Sequence, residues 1–157
     1  MVEELFDKCF LFDDLTRSQL NLLKPLFLHC DCAGGEIVFK QGDPAVNLYI
    51  VVDGEVKIRF KPEDGPALVV TTIHPGGVFG WSAVFGSAEY TSGATCETDS
   101  TLLCVRGEDL KNLCEENPET GILILERLAA VVADRLRSTH TQVVDILSHG
   151  IRNNTPK

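Results

Sequence analysis

Positive charge is scarce in this chain. Its 157 residues carry 14 Lys and Arg against 23 Asp and Glu, a formal net charge of −9. Non-specific attraction to a phosphate backbone needs clustered Lys and Arg, so direct nucleic-acid binding is not expected. Long apolar runs are missing too. No stretch of about 18 apolar residues occurs, and the first ten residues hold acids rather than a basic segment followed by a long apolar one. A soluble, cytoplasmic protein with no membrane segment is the expectation. Catalytic signatures are equally absent: there is no P-loop, HExxH, nucleophile elbow or paired-carboxylate motif. Glu97, Asp99, Glu115 and Glu116 read as solvated turn and helix-end acids, which leaves no catalytic residue and points away from an enzyme.

Six cysteines are present, Cys9, Cys30, Cys32, Cys96, Cys104 and Cys114. With an ample apolar fraction of 44% and no export signal, free thiols are expected rather than three disulfides. Cys30 and Cys32 share a face if Phe27 to Cys32 is a strand, an arrangement that could ligate a metal or sense oxidants. No second C-x-x-C or His pair at zinc spacing follows, and buried free cysteine is common. The four histidines, His29, His74, His140 and His149, are scattered; His74, just before Pro75, is a surface residue or a haem ligand.

What the chain does have is alternation. Glu36–Phe39, Leu48–Val52 and Val56–Phe60 are rich in Val, Ile, Tyr and Phe, and are bounded by Gly42-Asp43-Pro44 and Asp53-Gly54. Asp-Gly between two β-branched runs predicts a hairpin. Pro62 to Pro66 reads as a hairpin tip, since its two prolines cannot continue a ladder. From Phe27 to Arg106 short strands alternate with Gly, Pro and Asp turns, the pattern of an antiparallel barrel or sandwich. Ahead of it, Leu5 to Lys24 reads as a helix in which Thr16 caps a turn carrying Leu20, Leu22 and Leu23, closed by Pro25. After Arg106 the period changes: Gly107-Glu108-Asp109-Leu110 opens a short helix, and Pro118 opens a longer one running to about Ser148.

In that long helix Ile122, Leu125, Ala129, Val132, Leu136, Val143 and Ile146 follow a 3,4 alternation, interrupted at Thr139. A helix of roughly 30 residues spans about 45 Å, more than one small barrel can cover. The stripe Leu125, Ala129, Val132, Leu136, Val143 and Ile146 is therefore expected to be a dimer seam, the alternative being a helix packed on its own barrel.

The order Gly35-Glu36, Phe39-x-Gln41-Gly42-Asp43-Pro44, Leu48-Tyr49-Ile50-Val51-x-Asp53-Gly54-x-Val56 and Pro75-Gly76-x-x-Phe79-Gly80 resembles the cyclic-nucleotide-binding domain, the sensor module of catabolite-activator and fumarate-nitrate-type regulators and of cyclic-nucleotide-gated channels and kinases. The resemblance implies a mainly β fold with flanking helices: a double-stranded β-helix, or jelly-roll-like barrel, plus a long C-terminal dimerisation helix. It divides the chain into a β-roll domain with its N-terminal helix at 1–116, the dimerisation helix at 117–148 and a tail at 149–157. Only nine residues follow Ser148, too few for the helix-turn-helix domain of the DNA-binding relatives.

In such domains the segment after Phe-Gly holds a cyclic phosphate through backbone N–H groups. Here the cassette positions are Phe79, Gly80, Trp81, Ser82, Ala83, Val84, Thr91, Ser92, Ala94 and Thr95, with Thr139 and His140 where relatives face the base. Trp81 stands where the family usually has the Glu that accepts from the ribose, and Thr91 or Ser92 where it has the Arg that pairs with the phosphate. Trp81 either fills the pocket or stacks on a planar ligand. Thr139 either reads a ligand edge or fixes helix register. The combined reading is a dimeric, non-enzymatic sensor with an altered phosphate cassette and no DNA-binding domain, for which no cofactor is certain and cyclic AMP or cyclic GMP is the candidate ligand. A downstream protein partner would read its occupancy. The alternatives are a ligand-free structural adaptor and a truncated transcription regulator acting through a partner.

Overall fold

The computed structural model describes residues 2–62, 65, 66, 68–85 and 87–134. Eight strands form two four-stranded antiparallel sheets: β1 (Phe27–Cys32), β8 (Ser100–Arg106), β3 (Asn47–Asp53) and β6 (Val78–Phe79) in one, and β2 (Ile37–Phe39), β7 (Gly93–Cys96), β4 (Val56–Phe60) and β5 (Leu68–Ile73) in the other. The strands of each sheet are drawn from distant parts of the chain, as in a jelly-roll-like β-roll, and helices flank the first sheet on its far side.

The expected turns are where the alternation breaks. Gly54, at φ +92, links β3 to β4, but these strands lie in different sheets, so the turn carries the chain from one sheet to the other and is not the expected hairpin; a Cβ there would sit 2.3 Å from Ser100 Oγ and 2.7 Å from the Asp99 carbonyl, so neither the backbone angle nor the space admits a side chain. At the Gly42 turn, Asp43 Oδ2 reaches back to accept from the Lys40 amide at 2.9 Å, while the Asp43 amide donates to Lys40 O at 3.0 Å. Alternation along β3 and β8 then splits the apolar residues between two cores. Phe39, Val51, Val56, Ile73, Phe79, Tyr90, Ala94, Cys96 and Leu102 fill the space between the sheets. On the other side, Leu48, Ile50, Val78, Leu103 and Val105 pack against the helices.

The expected helix from Leu5 to Lys24 is broken into α1 (Val2–Asp7), a 3₁₀ turn at Phe10–Phe12 and α2 (Arg17–Leu23). Two physical causes are visible. Asp14 adopts φ 60, which stops a right-handed helix. The intervening carbonyls are taken from outside: the Arg127 guanidinium donates to Leu11 O at 2.8 Å and to Asp13 O at 2.6 Å. The bend lets Phe6 and Phe12 stack at 4.0 Å and both meet the edge of Phe27. Thr16 caps α2 as expected, in a capping box: Thr16 Oγ1 accepts from the Gln19 amide at 3.2 Å, and Gln19 Oε1 accepts from the Thr16 amide at 2.9 Å.

After β8 comes α3 (Gly107–Glu116), then a second helix, α4, over 118–134. Pro118 sits in the first turn of α4, where its missing N–H costs nothing. This helix carries two apolar rows. Gly121, Ile124 and Leu128 face inward into the helix-side core, a row the sequence reading missed. The anticipated seam lies on the adjoining flank, where Ile122 and Ala129 are exposed, Val132 is half-buried, and Leu125, also half-buried, packs against that same core. Leu136, Val143 and Ile146 lie outside the described residues. Two close approaches tie the helices down: a Cβ on Gly107 would lie 2.0 Å from the Ala83 carbonyl oxygen, and one on Gly121 would lie 2.5 Å from Cys114 Cα.

Candidate functional site

A cavity of about 160 Å³ opens between the sheets beside the Phe79-Gly80 step, lined by Phe39, Ile58, Val70, Thr71, Phe79, Gly80, Trp81, Ser82, Tyr90, Thr91 and Ser92. Gly80 turns the chain here. At φ 76 it lies in the left-handed region, and a Cβ would press within 3.0 Å of the Asn47 carbonyl and 3.2 Å of the Tyr49 ring. The chain then makes one 3₁₀ turn, Trp81–Ala83, closed by three backbone bonds: Ala83 donates to Gly80 O at 3.3 Å, and the following Val84 and Phe85 donate to Trp81 O at 2.9 and 3.0 Å.

Aromatic rings build one wall. Phe39 stacks on Tyr90 with centroids 3.6 Å apart, and Tyr49 stacks on Phe79 at 5.1 Å. The Tyr90 hydroxyl donates to Asn47 O at 2.6 Å and accepts from the Asn47 amide at 3.0 Å, pinning the end of the cassette loop to the start of β3. Burial holds the Tyr90 phenol above its usual range, and pushes that of Tyr49 up to about 12, so both stay neutral donors. Ile58 and Thr71 enter from the facing sheet because they are register partners in the β4–β5 hairpin.

Of the anticipated site residues, Phe79, Gly80, Trp81, Ser82, Thr91 and Ser92 come together at this cavity. Four others lie elsewhere. Ala83 is buried under Gly107, Val84 belongs to the helix-side core, Ala94 to the inter-sheet core, and Thr95 pairs with Lys57 and Ile37 in the ladder. Thr139 and His140 lie outside the described residues. The lining residues not anticipated are Phe39, Ile58, Val70, Thr71 and Tyr90; period-two alternation in β4 was a usable signal for Ile58. Trp81 is half-buried, lining the cavity with one part and packing against the helix-side core with another.

The other clusters resolve differently. Cys30 Sγ lies 3.1 Å from Cys104 Sγ, and Cys32 is bonded with Cys96 and Glu36, so the two thiols of β1 go to separate partners. All six thiols are free, and among the described residues no group of three or more His, Cys, Asp or Glu is placed to hold a metal ion. His74 lies 3.6 Å from Glu55 and His29 2.9 Å from Asp31, both in surface pairs with carboxylates. No described helix is long and apolar enough to cross a membrane.

Among the described residues every side chain lining the cavity is neutral: five apolar or aromatic groups, four hydroxyl groups from Thr71, Ser82, Thr91 and Ser92, and Tyr90. They supply no guanidinium for a phosphate and no carboxylate for a ribose, and the Tyr90 hydroxyl is already committed to Asn47.

Comparison with known proteins places this geometry. The chain is 29% identical over 146 residues to the CRP-like cAMP-activated global transcriptional regulator of Mycobacterium tuberculosis, an alignment covering 93% of this chain and 63% of the relative, so it spans less than two thirds of that protein's length. The crystal structure of the Thermus thermophilus catabolite activator protein superposes with a TM-score of 0.70 at 29% identity, covering 88% of this chain and 62% of that one. A cyclic nucleotide-binding domain from Methylobacillus flagellatus KT shares the fold at a TM-score of 0.79, with 17% identity over 92% of this chain and 81% of its own. The family description of the cyclic nucleotide-binding domain matches residues 31–117, from the end of β1 to the residue after α3. With two facing sheets, a Gly80 cassette and a cavity at the expected place, the chain belongs to the cyclic nucleotide-binding domain family.

Proposed function

We propose that this domain is a sensor or regulatory module that works as a dimer and whose phosphate cassette has been altered. The observation that carries the reading is the neutral lining of the cavity, with Trp81, Thr91 and Ser92 where charged contacts would be made. An Arg–phosphate fork contributes about 1.5–3 kcal/mol as a charge-assisted hydrogen-bond pair, and its absence weakens phosphate binding by a factor of about 10 to 150. Ligand entering the cavity would press on the Trp81–Ala83 turn, which abuts Gly107 at the start of α3, and so bias the helices that follow. Ile122, Leu125, Ala129 and Val132, together with Leu136, Val143 and Ile146, would form the seam with a second copy, and a partner protein would read the change.

The test is calorimetric titration with cyclic AMP and cyclic GMP, with mass measured by light scattering. The double variant W81E/S92R is expected to bind cyclic AMP at least tenfold more tightly than the parent, and Ala129→Glu, at an exposed position, to convert a dimer to a monomer. Equal affinity of parent and double variant would sink the altered-cassette reading, and a monomeric parent would sink the seam. A second reading, a ligand-free adaptor, draws on the packing of Trp81 against the helix-side core; it predicts no ligand response in the parent at all.

A further inference from the structure

We propose that the cavity selects an uncharged, planar ring compound and rejects phosphate-bearing ones. This rests on the reading of the domain as a sensor and names the class of molecule it senses. Three independent observations converge on it. The walls are Phe39, Ile58, Val70, Phe79 and Trp81, which favour an apolar ring face. The polar groups facing the space are hydroxyls, each able to donate or accept, so they match the mixed donor and acceptor edge of a heteroaromatic ring without carrying charge. The volume, about 160 Å³, is close to that of an engineered cavity of roughly 150 Å³ that takes up benzene. It has room for a ring system between the walls.

Charge settles the discrimination. An anion moved into this space exchanges water for aromatic walls, and no cation among the described lining residues offsets its desolvation. The Ala83, Val84 and Phe85 amides cannot turn to an anion, because they already donate to the Gly80 and Trp81 carbonyls. The net charge of −9 on the chain adds long-range repulsion in the same direction. A neutral ring meets none of these costs and keeps the hydroxyl contacts.

Trp81 is the sole tryptophan of the chain and lines the cavity, so its emission reports occupancy directly. The experiment titrates the protein with adenine, adenosine and nicotinamide as neutral rings and with cyclic AMP as the charged counterpart, at matched ionic strength, following Trp81 fluorescence with calorimetry as a second readout. At least one neutral ring is expected to bind saturably with a Kd at least tenfold below that of cyclic AMP. Ser92→Arg should reverse the order, and Thr91→Arg, at a more exposed position, provides the same charge should the first variant fold poorly. Cyclic AMP binding as tightly as the neutral rings, or more tightly, overturns this inference while leaving the sensor reading in place. Saturable binding by neither class, with circular dichroism showing a folded protein, overturns both.

Discussion

Replacing Gly107 by alanine probes the joint between the cavity and the C-terminal helices. The added Cβ would lie 2.0 Å from the Ala83 carbonyl oxygen, 2.6 Å from its carbon and 3.2 Å from the Ala83 Cβ. Two of these are backbone atoms, so relief requires α3 to lift or the cassette turn to retreat, not a rotamer change. Overpacking of this kind costs about 1–3 kcal/mol. Against it, alanine is favoured over glycine in a helix interior by up to about 1 kcal/mol, less at the first helical residue. The balance is a destabilisation of about 1–2 kcal/mol, which for a chain of this length lowers Tm by roughly 2–8 °C. Ala83 adjoins Ser82 of the cavity lining, so the affinity for any cavity ligand should fall in the same variant. Thermal unfolding followed by circular dichroism measures the first effect and calorimetry the second. A Tm equal to or above that of the parent would show that the close approach is not a constraint, and with it the proposed route from cassette to helices would fail.

Two further outcomes follow from the same geometry. Tyr90→Phe removes the hydroxyl that serves both the Asn47 carbonyl and the Asn47 amide, leaving two backbone groups without that partner; a loss of about 1–3 kcal/mol is expected in chemical denaturation, and an unchanged midpoint would count against the pinning role. Alkaline pH should also destabilise the fold. Burial pushes the Cys9 thiol up to about 11 and the Cys104 thiol up to about 12, from an ordinary value of 9.0. The unfolded chain therefore loses these protons first, so stability is unaffected below about pH 9 and declines between 9 and about 12. Tm measured from pH 7.5 to 10.5 should fall over the upper part of that range, and the decline should be smaller in Cys104→Ala when each variant is compared with its own value at pH 7.5.

The β-roll was legible because its signals are local. Asp53-Gly54 ends β3 and turns the chain into β4, Thr16 and Gln19 form the capping box, and Pro118 opens α4, each within four residues of the effect it causes, although the turn at Gly54 passes between sheets where a hairpin was expected. The misses share the opposite character. The break in the N-terminal helix depends on Asp14 taking a left-handed conformation and on Arg127, more than a hundred residues later, capturing the freed carbonyls. In the cavity, Phe39 and Tyr90 meet across the fold by stacking, and Val70 arrives from a strand whose exposed face carries no alternation, with Leu68, Val69 and Val70 all solvent-facing. On α4 the sequence shows two interleaved apolar rows, and a periodicity reading that settles on Ile122, Leu125, Ala129 and Val132 passes over Ile124 and Leu128, the row that the domain itself buries.

That division of α4 separates two kinds of information on one rod. Gly121, Ile124 and Leu128 answer to the interior of their own chain and tolerate little change: Gly121 has no room for even a methyl group beside Cys114. Ile122 and Ala129 stand exposed among the described residues, Ile122 by 52%. Substitutions at the outward positions can therefore accumulate without a toll on folding, so that association and stability vary independently along the same seventeen helical residues, 118–134. A domain built this way can change what it couples to while the cavity and its sheets stay as they are.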